Sequence, residues 1–172
     1  MGDHERESRE LRVYTYLDYY HIDYKRIDHP RANTMEDCVA ISEALGAPIC
    51  KNLLLCNRQQ TLFYLLMMPG DKPFKTKELS KQINSARLSF ASAERMLEFL
   101  DIEPGSLSVM GLINDINHRV QLLIDEDLLK LEEIGCHPCV NTSSIKIKTS
   151  DLLNVFLPSV EHEPITVVLK GY

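Results

Sequence analysis

Two apolar runs separated by a short polar turn constrain the fold of this chain more than any other feature of its sequence. The runs are ICKNLLLC at residues 49–56 and TLFYLLMM at residues 61–68, and the turn between them, residues 57–60, is entirely polar. Strands that are apolar at successive positions are typical of sheets covered on both faces. The two runs therefore predict a β-hairpin that is buried on both faces.

Helical and strand patterns interleave through the rest of the chain. Helices are predicted over residues 5–20, 34–46, 76–83, 92–100 and 151–157. Shorter strands are predicted at residues 24–29, 107–110, 119–124, 144–147 and 165–169, with loops at residues 111–117 and 133–142. Because a hairpin occurs among helix-linked strands, the sequence predicts a mixed-sheet α/β or α+β domain.

Side chains that suit helix ends mark three of these boundaries. Thr34 and Asp37 have the spacing of a capping box, with Asp in place of the usual Glu or Gln, and Gly46 is the predicted stop of that helix. Asp125 is predicted to cap a single turn, and Thr149 or Ser150 to cap the helix that follows. In the helix at residues 92–100, an apolar stripe is expected from Met96, Leu97 and Leu100.

Length and composition bound the class of protein. The 172 residues suit one domain, with residues 5–20 as a lead-in helix, and no repeat or linker divides them. No apolar run approaches the roughly 18 residues of a membrane span, and the charged N-terminus lacks a signal-peptide core. The five cysteines cannot all pair within the chain. We therefore expect a cytoplasmic protein without a membrane partner.

The distribution of charge limits the expected partners. A net charge of −6 argues against a protein that coats nucleic acid non-specifically, and no DNA partner is expected. A local basic face is still compatible with RNA binding, and the candidate residues are Lys72, Lys75, Lys77, Lys81 and Arg87. The alternative interpretation of this run is an ordinary solvated helix face.

Two short segments have the composition of a site. Lys51 and Asn52 open the first apolar run, where a buried, unpaired ammonium would be costly, so we expect Lys51 at the mouth of a cleft facing an anionic group such as a phosphate. The alternative is an edge lysine that reaches water. Residues 135–139, GCHPC, combine a permissive glycine with a rigid proline, and such a bend can direct backbone N–H groups at an oxyanion. A surface turn is the alternative.

The same bend contains Cys136-x-x-Cys139, which invites a redox or zinc interpretation. A redox dithiol normally lies at a helix start, whereas residues 140–147 have the pattern of a loop and a strand. A zinc site needs two further ligands, and the chain has no second C-x-x-C. Because nucleophile-elbow, P-loop and dinucleotide-binding motifs are also absent, no metal or organic cofactor is expected.

Taken together, these segments resemble the YbaK-like, prolyl-tRNA-synthetase-associated family of aminoacyl-tRNA deacylases, and in particular its stand-alone ProX/PrdX branch. The matching order extends from about residue 20 to residue 169. The segments that match are His29-Pro30 with Thr34, KNLLL at 51–55, LSFAS at 88–92, EPGS at 103–106, GLIND at 111–115 and HPCVNT at 137–142.

The resemblance implies a fold, a reaction and partners. The fold is mixed α/β, with a partly barrel-like central sheet and flanking helices. The reaction is hydrolysis of the ester between a wrongly attached amino acid and transfer RNA, most specifically alanine on the transfer RNA for proline. A proline-sized pocket cannot strongly reject alanine, so a second and smaller sieve is needed. Transfer RNA is the expected partner, with prolyl-tRNA synthetase as a further one.

The resemblance also implies roles for named residues. Lys51 matches the family's signature lysine, expected to contact the terminal nucleotide. Gly135 and Pro138 match a family loop at a spacing one residue shorter, and His137 is expected to fix the substrate or a water molecule. A positioned water then attacks the ester, and backbone N–H groups stabilise the oxyanion. The residues expected to bind substrate are His29, Thr34, Asn52, Gly111, Asn141 and Thr142.

Two departures from the family pattern bear on selectivity. Residues 108–111, SVMG, stand where a Pro-Phe-Gly-like turn is expected, so Met110 is expected to reshape the pocket wall. Cys136 and Cys139 flank the His-Pro pair where the branch carries apolar residues. The alternatives to a deacylase are a catalytically inactive module that binds transfer RNA or a synthetase, and a dithiol redox protein.

Overall fold

A computed structural model describes residues 6–32 and 34–170 of the protein. The strands are β1 Lys25–Asp28, β2 Cys50–Cys56, β3 Phe63–Pro69, β4 Ser89–Phe90, β5 Val120–Asp125, β6 Glu133–Cys136, β7 Ser143–Lys148 and β8 Ile165–Val167. The α-helices are α1 Ser8–Tyr19, α2 Met35–Leu45, α3 Thr76–Gln82, α4 Ala93–Leu100 and α5 Glu126–Leu129. A 3-10 helix covers Val109–Asn114, and residues 149–159 form a helical segment with a π-helical centre, Leu152–Phe156.

The predicted hairpin is the centre of the structure. Strands β2 and β3 pair antiparallel along their whole length, from Cys50 opposite Pro69 to Cys56 opposite Phe63. Leu54 is buried in one apolar core and Leu55 in another, because successive side chains of a strand point to opposite faces. The prediction of a hairpin buried on both faces is confirmed.

Two sheets divide the strands. The five-stranded sheet has the order β4-β2-β3-β5-β8, with β5 parallel to both of its neighbours, and the three-stranded sheet has the antiparallel order β1-β7-β6. An isolated bridge between Ile49 and Gly135 links them. The mixed α/β class is confirmed; where a partly barrel-like sheet was expected, the described residues form two sheets and no closed barrel.

Each face of the five-stranded sheet covers its own core. The main core lies on the face shared with the three-stranded sheet and α1, and it includes Leu17, Leu54 and Ile145. The second core lies under α3 and includes Leu55, Leu66 and Leu79. Full burial of each such side chain contributes about 1.5–3 kcal/mol. Within the described ranges, no helix has the length and apolar character needed to cross a membrane.

The helix-end predictions were correct at α2 and α5 and wrong for the last helical segment. Thr34 and Asp37 form the capping box of α2, and Gly46 ends that helix with a φ of 82°. Asp125 accepts a hydrogen bond from the N–H of Asp127 and so caps α5. The last segment begins at Thr149 without a side-chain cap, because the Thr149 N–H instead donates to the carbonyl of Glu132 at 2.9 Å.

Three other local predictions were wrong. Residues 107–110 form no strand, because the Ser108 hydroxyl accepts the Met110 N–H and starts the 3-10 helix. Residues 133–136 are a strand rather than a loop, because β7 pairs with them in the folded protein. Leu97 is half exposed, and Phe99 occupies the core instead. Helix α1 begins at Ser8, and Glu5, the predicted start, lies outside the described residues.

Candidate active site at the open edge of strand β2

Strand β2 has one fully paired edge and one that is partly open. On the open side, the Leu54 carbonyl accepts the Ala91 N–H at 2.9 Å, and the Pro48 carbonyl accepts the Gly135 N–H at 2.8 Å. Within the described ranges, no strand pairs with residues 51–53 on this side. Because backbone groups of alternate residues point to the same edge, the N–H and C=O of Asn52 point into this gap. Unpaired strand groups of this kind are ready to bind a ligand.

The side chain of Asn52 adds an unsatisfied acceptor to the gap. It lies on the main-core face, and its Nδ2 donates weakly to the Cys50 carbonyl at 3.5 Å and the Cys50 Sγ at 3.6 Å. The opposite amide orientation would place Oδ1 against that carbonyl, and two acceptors repel each other, so Nδ2 is the atom that faces Cys50. Asn52 Oδ1 is buried without a hydrogen-bond partner. A buried acceptor left unsatisfied costs about 1–3 kcal/mol, which a bound donor would recover.

Lys51 lies on the other face of the sheet. Its neighbours at alternate positions, Leu53 and Leu55, pack in the second core, and its Nζ donates to the carbonyl of Lys72 at 2.7 Å. An ammonium has three donors, so this contact leaves two for a ligand. Lys51 and Asn52 are neighbours in sequence, but their side chains lie on opposite faces of β2.

Lys72 holds the segment that Lys51 contacts. Its Nζ donates to Asp125 at 2.6 Å, to Asp127 at 2.8 Å and to the carbonyl of Leu169 at 2.6 Å. Burial alone would lower the pKa of Lys72, but the hydrogen bonds that its ammonium donates to the Asp125 and Asp127 carboxylates hold this pKa above its ordinary value. Lys72 was a candidate for the basic RNA-binding face, and this lysine is instead committed to an internal ion pair.

The bend at residues 135–138 is fixed against β2 by a missing side chain. A Cβ at Gly135 would lie 2.7 Å from Ile49 Cδ1 and 2.8 Å from Leu45 Cδ2, so a larger residue would force these two side-chain ends to shift. The Gly135 N–H is already bonded to Pro48. This N–H is therefore structural, and an oxyanion donor must come from another backbone group, for which the N–H of Asn52 is placed.

His137, which precedes Pro138 in the bend, is half of a histidine pair. Its Nδ1 lies 3.2 Å from the carbonyl of Ser143, and the ring of His29 is 6.3 Å away between centroids. The Ser144 hydroxyl lies 2.8 Å from His29 Nε2 and 3.4 Å from His137 Nδ1. A carbonyl can only accept, so the proton of a neutral His137 resides on Nδ1. Its Nε2 then carries a lone pair, with no partner among the described residues.

The protonation state of His137 follows from its surroundings. Burial lowers the pKa of His137 below its ordinary value, against the opposing effect of the Ser143 carbonyl. The imidazole is thus neutral near pH 7, and its Nε2 is able to accept a proton from water. His29 differs, because its Nδ1 faces the Pro30 carbonyl at 2.8 Å and its Nε2 faces Ser144.

The remaining predicted residues divide between this bend and the scaffold. The carbonyls of Thr142 and Asn141 accept the N–H groups of His29 and Ala32, so these segments lie together. Thr34 caps α2, and its hydroxyl proton is left for another acceptor. A Cβ at Gly111 would lie 2.6 Å from Ile102 Cδ1, which explains the glycine by packing at the end of α4.

Met110, which was expected to reshape a pocket wall, is packed inside the protein. Met110 is fully buried in the main core. A cavity of about 600 Å³ lies near His118 and His162, and one of about 470 Å³ lies beside Tyr24. Neither of these two cavities includes Lys51 or His137.

The thiols of the bend are poorly suited to redox chemistry. All five cysteines are free, and burial raises the pKa of Cys136 well above its ordinary value and that of Cys139 to about 12. A reactive thiol needs a low pKa, so this arrangement disfavours a dithiol enzyme. In residues 6–32 and 34–170, no cluster of three or more His, Cys, Asp or Glu side chains has a metal-binding arrangement.

Sequence reasoning missed two polar partnerships near these elements. Ser144 joins the two histidines, and its only signal was a pair of serines at the start of a predicted strand. His162, which had no predicted partner, lies with its Nε2 2.9 Å from the buried carboxylate of Asp115. Their sequence separation of 47 leaves no local signal for this pairing.

Known proteins resemble this chain in sequence. A family model described as an aminoacyl-tRNA editing domain matches residues 29–155. The prolyl-tRNA editing protein ProX of Acetoanaerobium sticklandii is 30% identical over 136 residues, covering 79% of this chain and 83% of the relative. The prolyl-tRNA synthetase associated domain-containing protein 1 of Danio rerio is 28% identical over 152 residues, covering 87% and 82%.

A solved structure shows the same fold. A crystal structure provisionally named as a trans-editing enzyme for prolyl tRNA synthetase superposes with a TM-score of 0.71 at 17% identity, covering 96% of this chain and 99% of the other. At this identity the likeness establishes the fold alone.

Proposed function

This chain belongs to the family of aminoacyl-tRNA editing domains and is an aminoacyl-tRNA deacylase, and on that premise we propose that it removes alanine wrongly attached to the transfer RNA for proline. Two relatives named for prolyl-tRNA support this choice. A synthetic site sized for proline discriminates weakly against a smaller side chain, so hydrolysis must remove the error. The cytoplasm is the proposed location, and a complex with prolyl-tRNA synthetase is the proposed setting.

The observation that supports a site at this place is a pair of unsatisfied groups, one on each side of the Ile49–Gly135 bridge. They are Asn52, whose Oδ1 is buried without a partner in the described part of the chain, and His137, whose Nε2 has none among the described residues. Most buried polar groups in a folded protein are satisfied, so the unpaired Asn52 Oδ1 favours a ligand at the open edge of β2.

The reaction follows from these groups. Water attacks the ester carbonyl while His137 Nε2 accepts its proton, and the Asn52 N–H donates to the developing oxyanion. The bond between the carbonyl carbon and the ribose oxygen then breaks, and the proton held by His137 passes to that oxygen. Asn52 Oδ1 accepts a hydrogen bond from the substrate's α-amino group. No covalent intermediate forms on the protein.

Lys51 acts on the transfer RNA rather than on the carbonyl. Its ammonium emerges on the face opposite Asn52 and retains two donors beyond the Lys72 contact. A phosphate of the terminal nucleotide is its proposed ligand, since a compact ammonium binds phosphate as a point charge. The wall around His137 is formed by His29, Thr34, Asn141 and Thr142. The bend itself is set by Gly135 and Pro138, and the packing behind it by Gly111.

The test is hydrolysis of transfer RNA for proline charged separately with alanine, proline, cysteine and serine. Alanine should be released fastest, and Lys51→Ala should raise KM, with the exposed Lys25→Ala as the matched control. If proline disappears as fast as alanine, the proposed selectivity is wrong. If no ester is hydrolysed although the RNA binds, the chain is an inactive tRNA-binding module.

Asn52 has a more specific test. If its Oδ1 binds the α-amino group, the wild type should hydrolyse alanyl-tRNA faster than N-acetyl-alanyl-tRNA, and Asn52→Ala should reduce that preference. An unchanged preference in Asn52→Ala would remove this residue from the site.

A further inference from the structure

Positive charge is concentrated in one segment of an acidic protein. We define the α3 arm as residues 71–90, which carry five basic and two acidic side chains, a net charge of +3. The whole chain carries −6, so the other 152 residues carry −9. Lys72 is committed to Asp125 and Asp127, and the four remaining basic and two acidic side chains still make the arm a positive segment that attracts a polyanion. The exposed basic side chains of the arm are Lys75, Lys77, Lys81 and Arg87.

An exposed aromatic ring lies at the end of the same arm. Phe90 is 66% exposed, although it is part of strand β4, and its ring lies 6.2 Å from that of Phe74 in an edge arrangement. Phe90 pairs with Leu55 of β2, so it shares the sheet face of Lys51. Leu55 is four positions after Lys51 in β2, which corresponds to about 13 Å along the strand. A solvated helix face accounts for the lysines but not for this ring.

The arm is held in a fixed position relative to β2. Gln82 donates to the Val168 carbonyl at 2.6 Å and accepts the Val168 N–H at 2.7 Å. At the other end, the Lys72 carbonyl accepts from Lys51. An extended ligand that lies along the arm is therefore directed to the mouth of β2 without further ordering of the protein.

We propose that the α3 arm docks the single-stranded 3′ end of transfer RNA, with a base stacked on Phe90 and the phosphates facing Lys77 and Lys81. This inference rests on the proposed function, because it assigns a surface to that substrate. Single-stranded RNA is recognised by aromatic stacking combined with positive charge, which are the two properties that meet here. An acidic protein would use the charge without needing the ring.

The experiment measures binding of an uncharged acceptor-stem RNA hairpin that ends in single-stranded CCA. Phe90→Ala should weaken Kd roughly 10-fold, because base stacking on an aromatic ring has about this value, and Phe90→Tyr should restore it. Tyr19→Ala is the matched control, since Tyr19 is 74% exposed on α1. With the CCA end removed, the Phe90→Ala effect should disappear.

Salt dependence tests the charges separately. The double variant Lys77→Gln, Lys81→Gln should reduce the slope of log Kd against log salt by about 1.4, the value for two single-strand phosphate contacts. The exposed pair Lys25→Gln, Lys148→Gln should leave the slope unchanged. Thermal denaturation confirms that each variant is folded.

The outcomes separate this inference from the proposed function. If the wild type hydrolyses alanyl-tRNA but Phe90→Ala binds the CCA hairpin normally, the docking surface is wrong and the function stands. If Phe90→Ala weakens binding but no ester is hydrolysed, the docking surface stands and the function is wrong. Equal weakening with and without the CCA end, or equal competition by poly-glutamate, would also overturn docking of a single strand.

Discussion

His162 and His137 differ in how many of their ring nitrogens have a hydrogen-bond partner. His162 presents Nδ1 to the Val160 carbonyl at 2.7 Å and Nε2 to Asp115 at 2.9 Å. His137 presents Nδ1 to the Ser143 carbonyl, and its Nε2 has no partner in the described part of the chain. Both rings are shielded from water, so burial alone does not distinguish them.

The difference teaches which polar groups hold the fold and which remain for chemistry. Both ring nitrogens of His162 face an oxygen within the fold, the Val160 carbonyl and the Asp115 carboxylate, so neither nitrogen remains for a ligand. Burial would raise the pKa of Asp115, but hydrogen bonds from His162 and from the N–H groups of Arg119 and Val120 hold it below its ordinary value. His162 is saturated and structural, whereas His137 is unsaturated and neutral.

Removing His137 should have the largest effect. His137→Ala should lower the single-turnover rate of alanyl-tRNA hydrolysis by about 10²–10⁴-fold, the usual contribution of a general base, with little change in Tm. A rate within threefold of the wild type would show that the free nitrogen is not used.

Removing His162 should affect stability instead. His162→Ala leaves the Asp115 carboxylate buried without its partner, which should reduce the free energy of unfolding by about 3–5 kcal/mol in urea titrations. The rate of the folded fraction should stay at the wild-type value. His118→Ala is the control, because its side chain is 46% exposed and its ion pair with Glu161 is long at 3.7 Å. Equal losses in both variants would contradict the comparison.

The two regions should respond to pH in different ranges. The pKa of His137 is lowered in the folded state, so kcat/KM should be flat above pH 6.5 and fall as pH drops through the folded pKa. The lowered pKa of Asp115 stabilises the fold above about pH 4, and this stability is lost as pH falls further. Measuring hydrolysis and urea unfolding from pH 3 to 7.5 separates the pH range in which activity is lost from the range in which stability is lost. If the two losses coincide, a common unfolding event explains both.

Thr34 provides the smallest and most discriminating test, because its oxygen is used and its proton is not. Thr34→Ala should cost about 1 kcal/mol through loss of the α2 cap and raise KM about threefold, whereas Thr34→Ser should retain both properties. Ser92→Ala removes the equivalent cap of α4 and should leave KM unchanged. A KM change in Ser92→Ala would attribute both effects to stability.

The parts of the fold that local chemistry determines were the parts that sequence reasoning found. The apolar runs of β2 and β3 and the caps at Thr34 and Asp125 act over a few residues, so their patterns are visible in the chain. Strand β6 was missed because its pairing with β7 is decided by the folded protein.

For the candidate site, the sequence proposes residues but not their geometry. The resemblance selected Asn52 and His137, but which nitrogen is free depends on the Ser143 carbonyl, and this is a tertiary contact. The alternation of β2 places Lys51 and Asn52 on opposite faces, a fact that becomes useful only once the two cores are known. The sequence predicts Lys72 as part of a basic surface, whereas in the folded protein its ammonium forms an ion pair with Asp125.

The bridge at Gly135 also acts as a spacer. The Gly135 N–H donates directly to the Pro48 carbonyl, so a main-chain hydrogen bond sets the separation of the two backbones there. A substitution that adds a carbon at this position would lie 2.7 Å from Ile49 Cδ1 and 2.8 Å from Leu45 Cδ2, so these side-chain ends would have to move. The spacing of the two strands at the bridge is consequently a property of the chain's skeleton, while the side chains around it retain freedom to adjust.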